Sequence, residues 1–235
     1  MFRKFKYVTQ NRRQSFIEDS NGGRCGTIAA PSAGATADTR FFGQGGNIKF
    51  VVKRPKYFNK YEIFSDAKIH EIDRCFVEEY RREQQVWNLV YPENQADLFT
   101  EDGLRLVMPY LPGKTLTAWT NQDINPFTCC QILLSVALAV QRFYRLGFKY
   151  SDFNADNVLV AQKPDGSFAA YLIDFNTTLN VNEFGGSQEL NALNILIPGS
   201  NWQSHYKTID ELVVGLVGKI NELSGMELEY KGMQL

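Results

Sequence analysis

Tyr150-Ser151-Asp152-Phe153-Asn154-Ala155-Asp156-Asn157-Val158-Leu159-Val160 is the stretch that decides how this chain folds. An Asp, four residues and an Asn lead into an apolar run of β type, and a long apolar segment closed by Gly147 comes before them. Asp174 follows Asn157 by 17 residues, in a second apolar run that reads Leu172-Ile173-Asp174-Phe175-Asn176. The spacing has a chemical reason. A carboxylate at 152 can meet a hydroxyl that attacks a phosphate, and an amide at 157 can reach a metal on that phosphate from the same short loop. A second carboxylate, a hairpin's length later at 174, can share the metal. Phe50-Val51-Val52-Lys53 ends a third apolar run on a cation suited to phosphate. A lysine at a strand end can also simply snorkel. A buried carboxylate is costly unless paired. Glu83 shares a helical face with Tyr80, Trp87 and Val90, so a pair with Lys53 would account for it; Glu79, one turn earlier, is the alternative partner.

The elements around these residues are readable from pattern. Short β runs alternate with glycines from Gly26 to Pro55: Thr39–Phe42, a turn over Gly43–Asn47, then Ile48–Lys53. This predicts an antiparallel meander. Gly22–Gly26 reads as a turn cluster. Ser65 is placed to cap a helix reaching Val90, where Tyr91-Pro92 stops it. Leu104–Leu111 reads as a strand broken by Pro112-Gly113. Asn125 caps a long apolar helix with Pro126 in its first position, running to about Leu146. Val158–Gln162 and Ala169–Ile173 form a hairpin around Pro164-Asp165-Gly166, and a last helix lies near Tyr206–Leu223. A β-rich first half and a helix-rich second half predict an α+β chain of two lobes.

Composition sets outer bounds. The chain has 235 residues, 44% hydrophobic and 22% charged, which is globular and not disordered. Its four cysteines, two of them adjacent at 129 and 130, form neither a disulfide framework nor a zinc motif, and read as reduced packing residues. The longest apolar run, Ile132–Val140, contains Ser135 and is too short to span a bilayer. No apolar core follows the basic start, so no ordinary secretory signal is expected. Net charge is −1 but uneven. Residues 1–60 hold twelve Lys/Arg against three acids, whereas nine acids and four lysines follow Asn157. That asymmetry suggests an anionic partner at the basic end or a solvated basic face.

Taken together, the motifs resemble those of protein kinases over about residues 30–180. Asp152–Asn157 resembles the catalytic loop. Asp174-Phe175-Asn176 resembles the Asp-Phe-Gly metal motif, with Asn in the glycine place because Asn tolerates positive φ. Val51-Val52-Lys53 resembles the strand lysine. The resemblance implies a single kinase-like domain over 1–235, an α+β, two-lobed protein kinase-like fold with a β-rich N-lobe (about 1–111) and a reduced helical C-lobe (about 112–235). It implies ATP and Mg²⁺ as cofactors. Asp152, Lys53 and Glu83 would be catalytic, and Asn157 and Asp174 metal ligands. Lys53, the small residues Gly34, Ala35 and Thr36, and the hinge residues Met108, Pro109 and Leu111 would hold the nucleotide. The chain is most similar to the small atypical effector kinases that pathogenic bacteria inject into host cells. On that basis it would act on Ser/Thr hydroxyls of a host protein after secretion into host cytoplasm. Small-molecule phosphotransferases, kinase-fold AMP-transferases and pseudokinase binding modules share parts of the pattern. An inositol polyphosphate or phosphoinositide headgroup fits the basic N-terminal region as activator; the near-neutral overall charge argues against nucleic acid.

The departures carry a consequence. Ser151 stands where kinases that are switched by activation-segment phosphorylation keep an Arg to pair with the phosphate, and Asn154 replaces a Lys. Phosphatase-treated protein should therefore keep its full rate; a large loss restored by autophosphorylation would contradict this.

Overall fold

β-Branched and aromatic residues recur along the first half of the chain, and they make a seven-stranded sheet. Its strands are β1 (Lys6–Asn11), β2 (Gln14–Glu18), β3 (Arg24–Ala33), β4 (Ala37–Gln44) and β5 (Asn47–Pro55), then β6 (Asp97–Phe99) and β7 (Arg105–Pro109) beyond the helix α1 (Asp66–Val90). In this computed structural model the described residues are 6–11, 14–18, 22–33, 37–55, 66–100, 104–150, 154–180, 190–191, 193–194 and 204–225. They divide into two units, Met1–Tyr110 and Leu111–Leu235. The described elements are of the expected α+β class, strand-rich in the first unit and with few helices.

In the first unit the strand order is β1-β2-β3-β4-β5-β7-β6, antiparallel throughout. The β4–β5 hairpin turns on Gly45 (φ 59°) and Gly46 (φ 83°), the pair of positive angles that a two-residue hairpin loop requires. Gly43 sits at the bulge beside it, where a Cβ would lie 1.9 Å from the Asn47 carbonyl oxygen. One face of the sheet packs Ile17, Cys25, Phe42, Val52 and Val107 together, with Phe50 and Phe99 against them. Because side chains alternate, Lys53 belongs to the opposite face from Val52. On α1 the buried positions Tyr80, Glu83, Val86, Trp87 and Val90 repeat every three or four residues. The end of α1 is tied to the chain that follows. Trp87 Nε1 donates to the Asn94 carbonyl at 2.6 Å, and Asn88 exchanges two bonds with the Ala96 backbone at 2.6 and 3.1 Å.

Two sequence expectations need correction here. The glycine cluster at 22–26 is not all turn: Arg24, Cys25 and Gly26 pair with Glu18, Ile17 and Phe16, because Cys25 has a core place to fill. The β1–β2 hairpin, which extends the sheet, was not anticipated. The capping role expected of Ser65 falls on a residue outside the described ones.

The second unit begins with β8 (Lys114–Thr115) and α2 (Leu116–Thr120). It continues through α3 (Pro126–Arg145), β9 (Phe148–Tyr150), β10 (Val158–Gln162), β11 (Phe168–Leu172) and β12 (Thr178–Asn180), and closes with α4 (Ile209–Ser224). Asn125 caps α3 by accepting from Thr128 N, Pro126 occupies its first turn, and Gly147 (φ 88°) follows its end. Among the described residues α3 is the one helix long and apolar enough to cross a bilayer, yet eight of its residues are buried within the unit. It packs on α4 and on the β10–β11 hairpin. Arg145 Nη2 meets Asp210 Oδ1 at 2.9 Å, and the buried Gln141 donates to the same oxygen, which braces α3 against α4. Burial raises the Cys129 and Cys130 thiols above the usual value; at Cys130 the neighbouring Cys129 adds to this and Lys219 opposes it.

The Phe42 ring is fully buried in the first core. Phe42→Ala should lower stability by about 3–5 kcal/mol, measured by denaturant unfolding. A loss under about 1 kcal/mol would mean that this sheet face is not a closed core.

Candidate active site

Lys53 ends the apolar part of β5, and α1 brings Glu83 to it. Lys53 Nζ donates to both carboxylate oxygens of Glu83 at 3.0 Å each. Glu83 is 0% exposed and Lys53 7%, so this is a desolvated pair, and charge-assisted bonds of this kind are strong. Glu79 is exposed on the same helix. The Tyr80 ring, also buried, lies 6.0 Å from Lys53 Nζ, at the outer reach of a cation–π contact.

The strand β7 carries Met108 and Pro109, two of the residues expected to hold the nucleotide. Tyr110 N–H is taken by the Lys49 carbonyl at 2.9 Å, which continues the β5–β7 ladder past Pro109. In an antiparallel strand successive residues direct their backbone groups to opposite edges, so the Pro109 carbonyl belongs to the other edge. Pairing with β6 ends at Val107 on that edge, which leaves the following backbone without a ladder partner among the described residues. Met108 is buried, and so is Leu111, the first residue of the second unit. Gly34, Ala35 and Thr36 lie outside the described residues, in the connection between Ala33 and Ala37; β3 and β4 stay paired up to it, Ala33 opposite Asp38.

In the second unit one hairpin carries both expected metal ligands. Val158 pairs with Leu172, and one step further toward the open end Ile173 N donates to the Asn157 carbonyl at 2.9 Å. Asn157 therefore immediately precedes one strand and Asp174 follows the other. Asp174 has φ 66° and ψ 65°, the one positive-φ non-glycine residue among those described. Such a backbone costs about 1–3 kcal/mol and persists where its surroundings fix it. The next residue, Phe175, is such an anchor, fully buried and stacked on Phe143 of α3 at 5.4 Å and 13°. The positive φ expected at Asn176 is thus found at Asp174 instead, because Phe175–Thr177 closes a 3₁₀ turn with Asn176 inside it. The Phe143–Phe175 stack escaped sequence reasoning; an aromatic on the apolar stripe of α3 was its only signal. The capping role of Asn154 escaped it too: its side chain caps the turn that carries Asn157. Asp152 lies outside the described residues.

Asp174 and Asn157 offer a carboxylate and an amide oxygen, the hard donors that Mg²⁺ selects. Among the described residues no three His, Cys, Asp or Glu gather into another metal group. The donor chemistry of this pair therefore fits Mg²⁺.

The Lipopolysaccharide kinase (Kdo/WaaP) family matches residues 85–204. No curated protein matches the chain by sequence. Among solved structures it is similar to monomeric WbdD (TM-score 0.51, 19% identity, covering 91% of this chain and 55% of that one). It is also similar to WbdD with a kinase inhibitor (0.48, 19%, 86% and 47%). A third likeness is to the Rio2 kinase–ADP/Mg²⁺–phosphoaspartate complex from Chaetomium thermophilum (0.47, 14%, 84% and 71%). The chain spans about half the length of WbdD, and at these identities the likeness is one of fold.

A buried ion pair adds little net stability, but removing one partner strands a charge. Lys53→Met should cost about 3–5 kcal/mol in denaturant unfolding, and adding Glu83→Leu should recover most of it. Equal stability of the single and double variants would show that the two charges are not coupled.

Proposed function

The chain belongs to the Lipopolysaccharide kinase (Kdo/WaaP) family, and from that premise we propose that it transfers the γ-phosphate of ATP to an alcohol hydroxyl of a lipopolysaccharide-type sugar. The observation that carries the phosphotransfer reading is the buried Lys53–Glu83 pair, a desolvated cation held by two 3.0 Å bonds. Bound Mg²⁺ would neutralise charge on the β- and γ-phosphates.

Each residue then has a task. Lys53 holds the α- and β-phosphates, and Glu83 keeps its ammonium from swinging away. Asn157 and Asp174 are the metal ligands. Asp152 accepts the proton of the acceptor hydroxyl as the new O–P bond forms and ADP leaves. The backbone of Pro109 and Leu111 receives the adenine edge, Met108 backs the ring, and the small residues Gly34, Ala35 and Thr36 let backbone N–H groups approach phosphate.

A second acceptor reading comes from the resemblance around Asp152–Asn157: Ser and Thr present the same aliphatic hydroxyl as a sugar, so the same residues would phosphorylate a host protein if the chain acts as a secreted bacterial effector. An inositol polyphosphate or phosphoinositide at the basic N-terminal region would then serve as a host-derived activator.

One assay separates these readings. Purified protein with Mg·ATP is offered a lipopolysaccharide extract and, separately, a eukaryotic lysate, with and without inositol hexakisphosphate, and products are read by mass spectrometry. The proposal expects phosphate on sugar, Asp174→Ala to remove nearly all transfer, and Asp152→Ala to lower it about 10²–10⁴-fold. Phosphate on Ser/Thr alone would move the acceptor to protein. AMP on either, or equal rates in both variants, would overturn the mechanism.

A further inference from the structure

We propose that Asn154 is a positioning residue for the metal end of the site; this rests on the reading of Asn157 as a metal ligand. Asn154 Oδ1 accepts the backbone N–H of Asp156 at 3.0 Å and that of Asn157 at 3.1 Å. Its own carbonyl accepts Asn157 N–H again at 3.1 Å. The residue is extended (φ −140°, ψ 158°) and stands directly before the 3₁₀ turn Ala155–Asn157. That turn buries none of its residues fully. Hydrogen bonds hold it at both ends: the Asn154 cap at its start, and at its end the bond from Ile173 N to the Asn157 carbonyl. The β10–β11 ladder supplies the second whatever the side chains. The first depends on an acceptor oxygen one carbon beyond Cβ at position 154.

This explains the departure from the lysine that ordinary Ser/Thr kinases keep there. A lysine has three donors and no acceptor, so it could not take the N–H groups of Asp156 and Asn157. Here position 154 gives up a long cation and gains a short acceptor that locks the backbone from which the Asn157 amide projects. Asn154 acts on the metal through Asn157, and outer partners of this kind typically alter metal affinity 10–100-fold.

The test is direct metal binding. Mn²⁺ is titrated by electron paramagnetic resonance into the full chain with a non-hydrolysable ATP analogue. Asn154→Ala and Asn154→Lys should weaken Mn²⁺ about tenfold, with metal-free binding of the analogue unchanged. Asn154→Asp, which keeps the acceptor, should stay within about twofold of the parent, since it preserves the cap. If Asn154→Ala does not fold, the Asp and Lys variants decide alone. Mn²⁺ affinity like the parent's in Asn154→Lys, or a loss in Asn154→Asp as large as in Asn154→Lys, overturns the inference. So does a lower melting temperature with unchanged metal affinity, which is a cap and nothing more. Asn157→Ala is the reference: if it leaves Mn²⁺ binding intact, the metal-ligand reading of Asn157 fails, whereas a loss there without one at Asn154 sinks only the positioning role.

Discussion

A lysine and a glutamate with almost no contact with water are the constraint on which the first unit is arranged. Taking both charges out of solvent is expensive, and apolar residues of similar volume would hold α1 to the sheet at least as well. The pair is therefore poorly explained by stability. It is well explained as a cation kept ready for an anionic ligand. The surroundings supply the required order: the β5 ladder fixes Lys53 on the face away from Val52, and the bonds of Trp87 and Asn88 to the chain after α1 fix the helix that bears Glu83.

The second unit meets a comparable demand differently. Asp174 is held in a left-handed backbone that few residues adopt, and the residue after it, Phe175, is anchored by stacking on Phe143. Asn157 is set by backbone and cap hydrogen bonds. The two residues proposed as metal ligands are thus held by the side chains and backbone around them, which is how a site keeps its geometry without binding energy from the reactants.

Much of this was legible in the sequence where one residue type has one physical use. Asn125-Pro126 marks a helix start because a cap and a missing N–H both suit that place. Glu83 stands out from Glu79 because it falls on the stripe of Tyr80, Trp87 and Val90, and the stripe is buried. Illegible parts depend on long-range pairing. Gly26 reads as turn until Phe16 lies beside it, and nothing local says that β1 and β2 will extend the sheet. The glycine place of the Asp-Phe motif misled for a related reason: positive φ belongs to the aspartate, since the 3₁₀ turn after it imposes helical angles on Asn176.

The acceptor is a separate question from the machinery, because sugar and protein hydroxyls ask the same of Lys53, Asn157 and Asp174. The central claim is the proposal that Asp174 and Asn157 hold a metal on which nucleotide binding depends. Calorimetric titration of the full chain with a non-hydrolysable ATP analogue, with and without Mg²⁺, tests it most directly. The account predicts binding that strengthens with Mg²⁺ in the parent, and an Asp174→Ala variant in which the metal no longer makes a difference. Binding equally tight without metal, or a metal effect that survives Asp174→Ala, would contradict it.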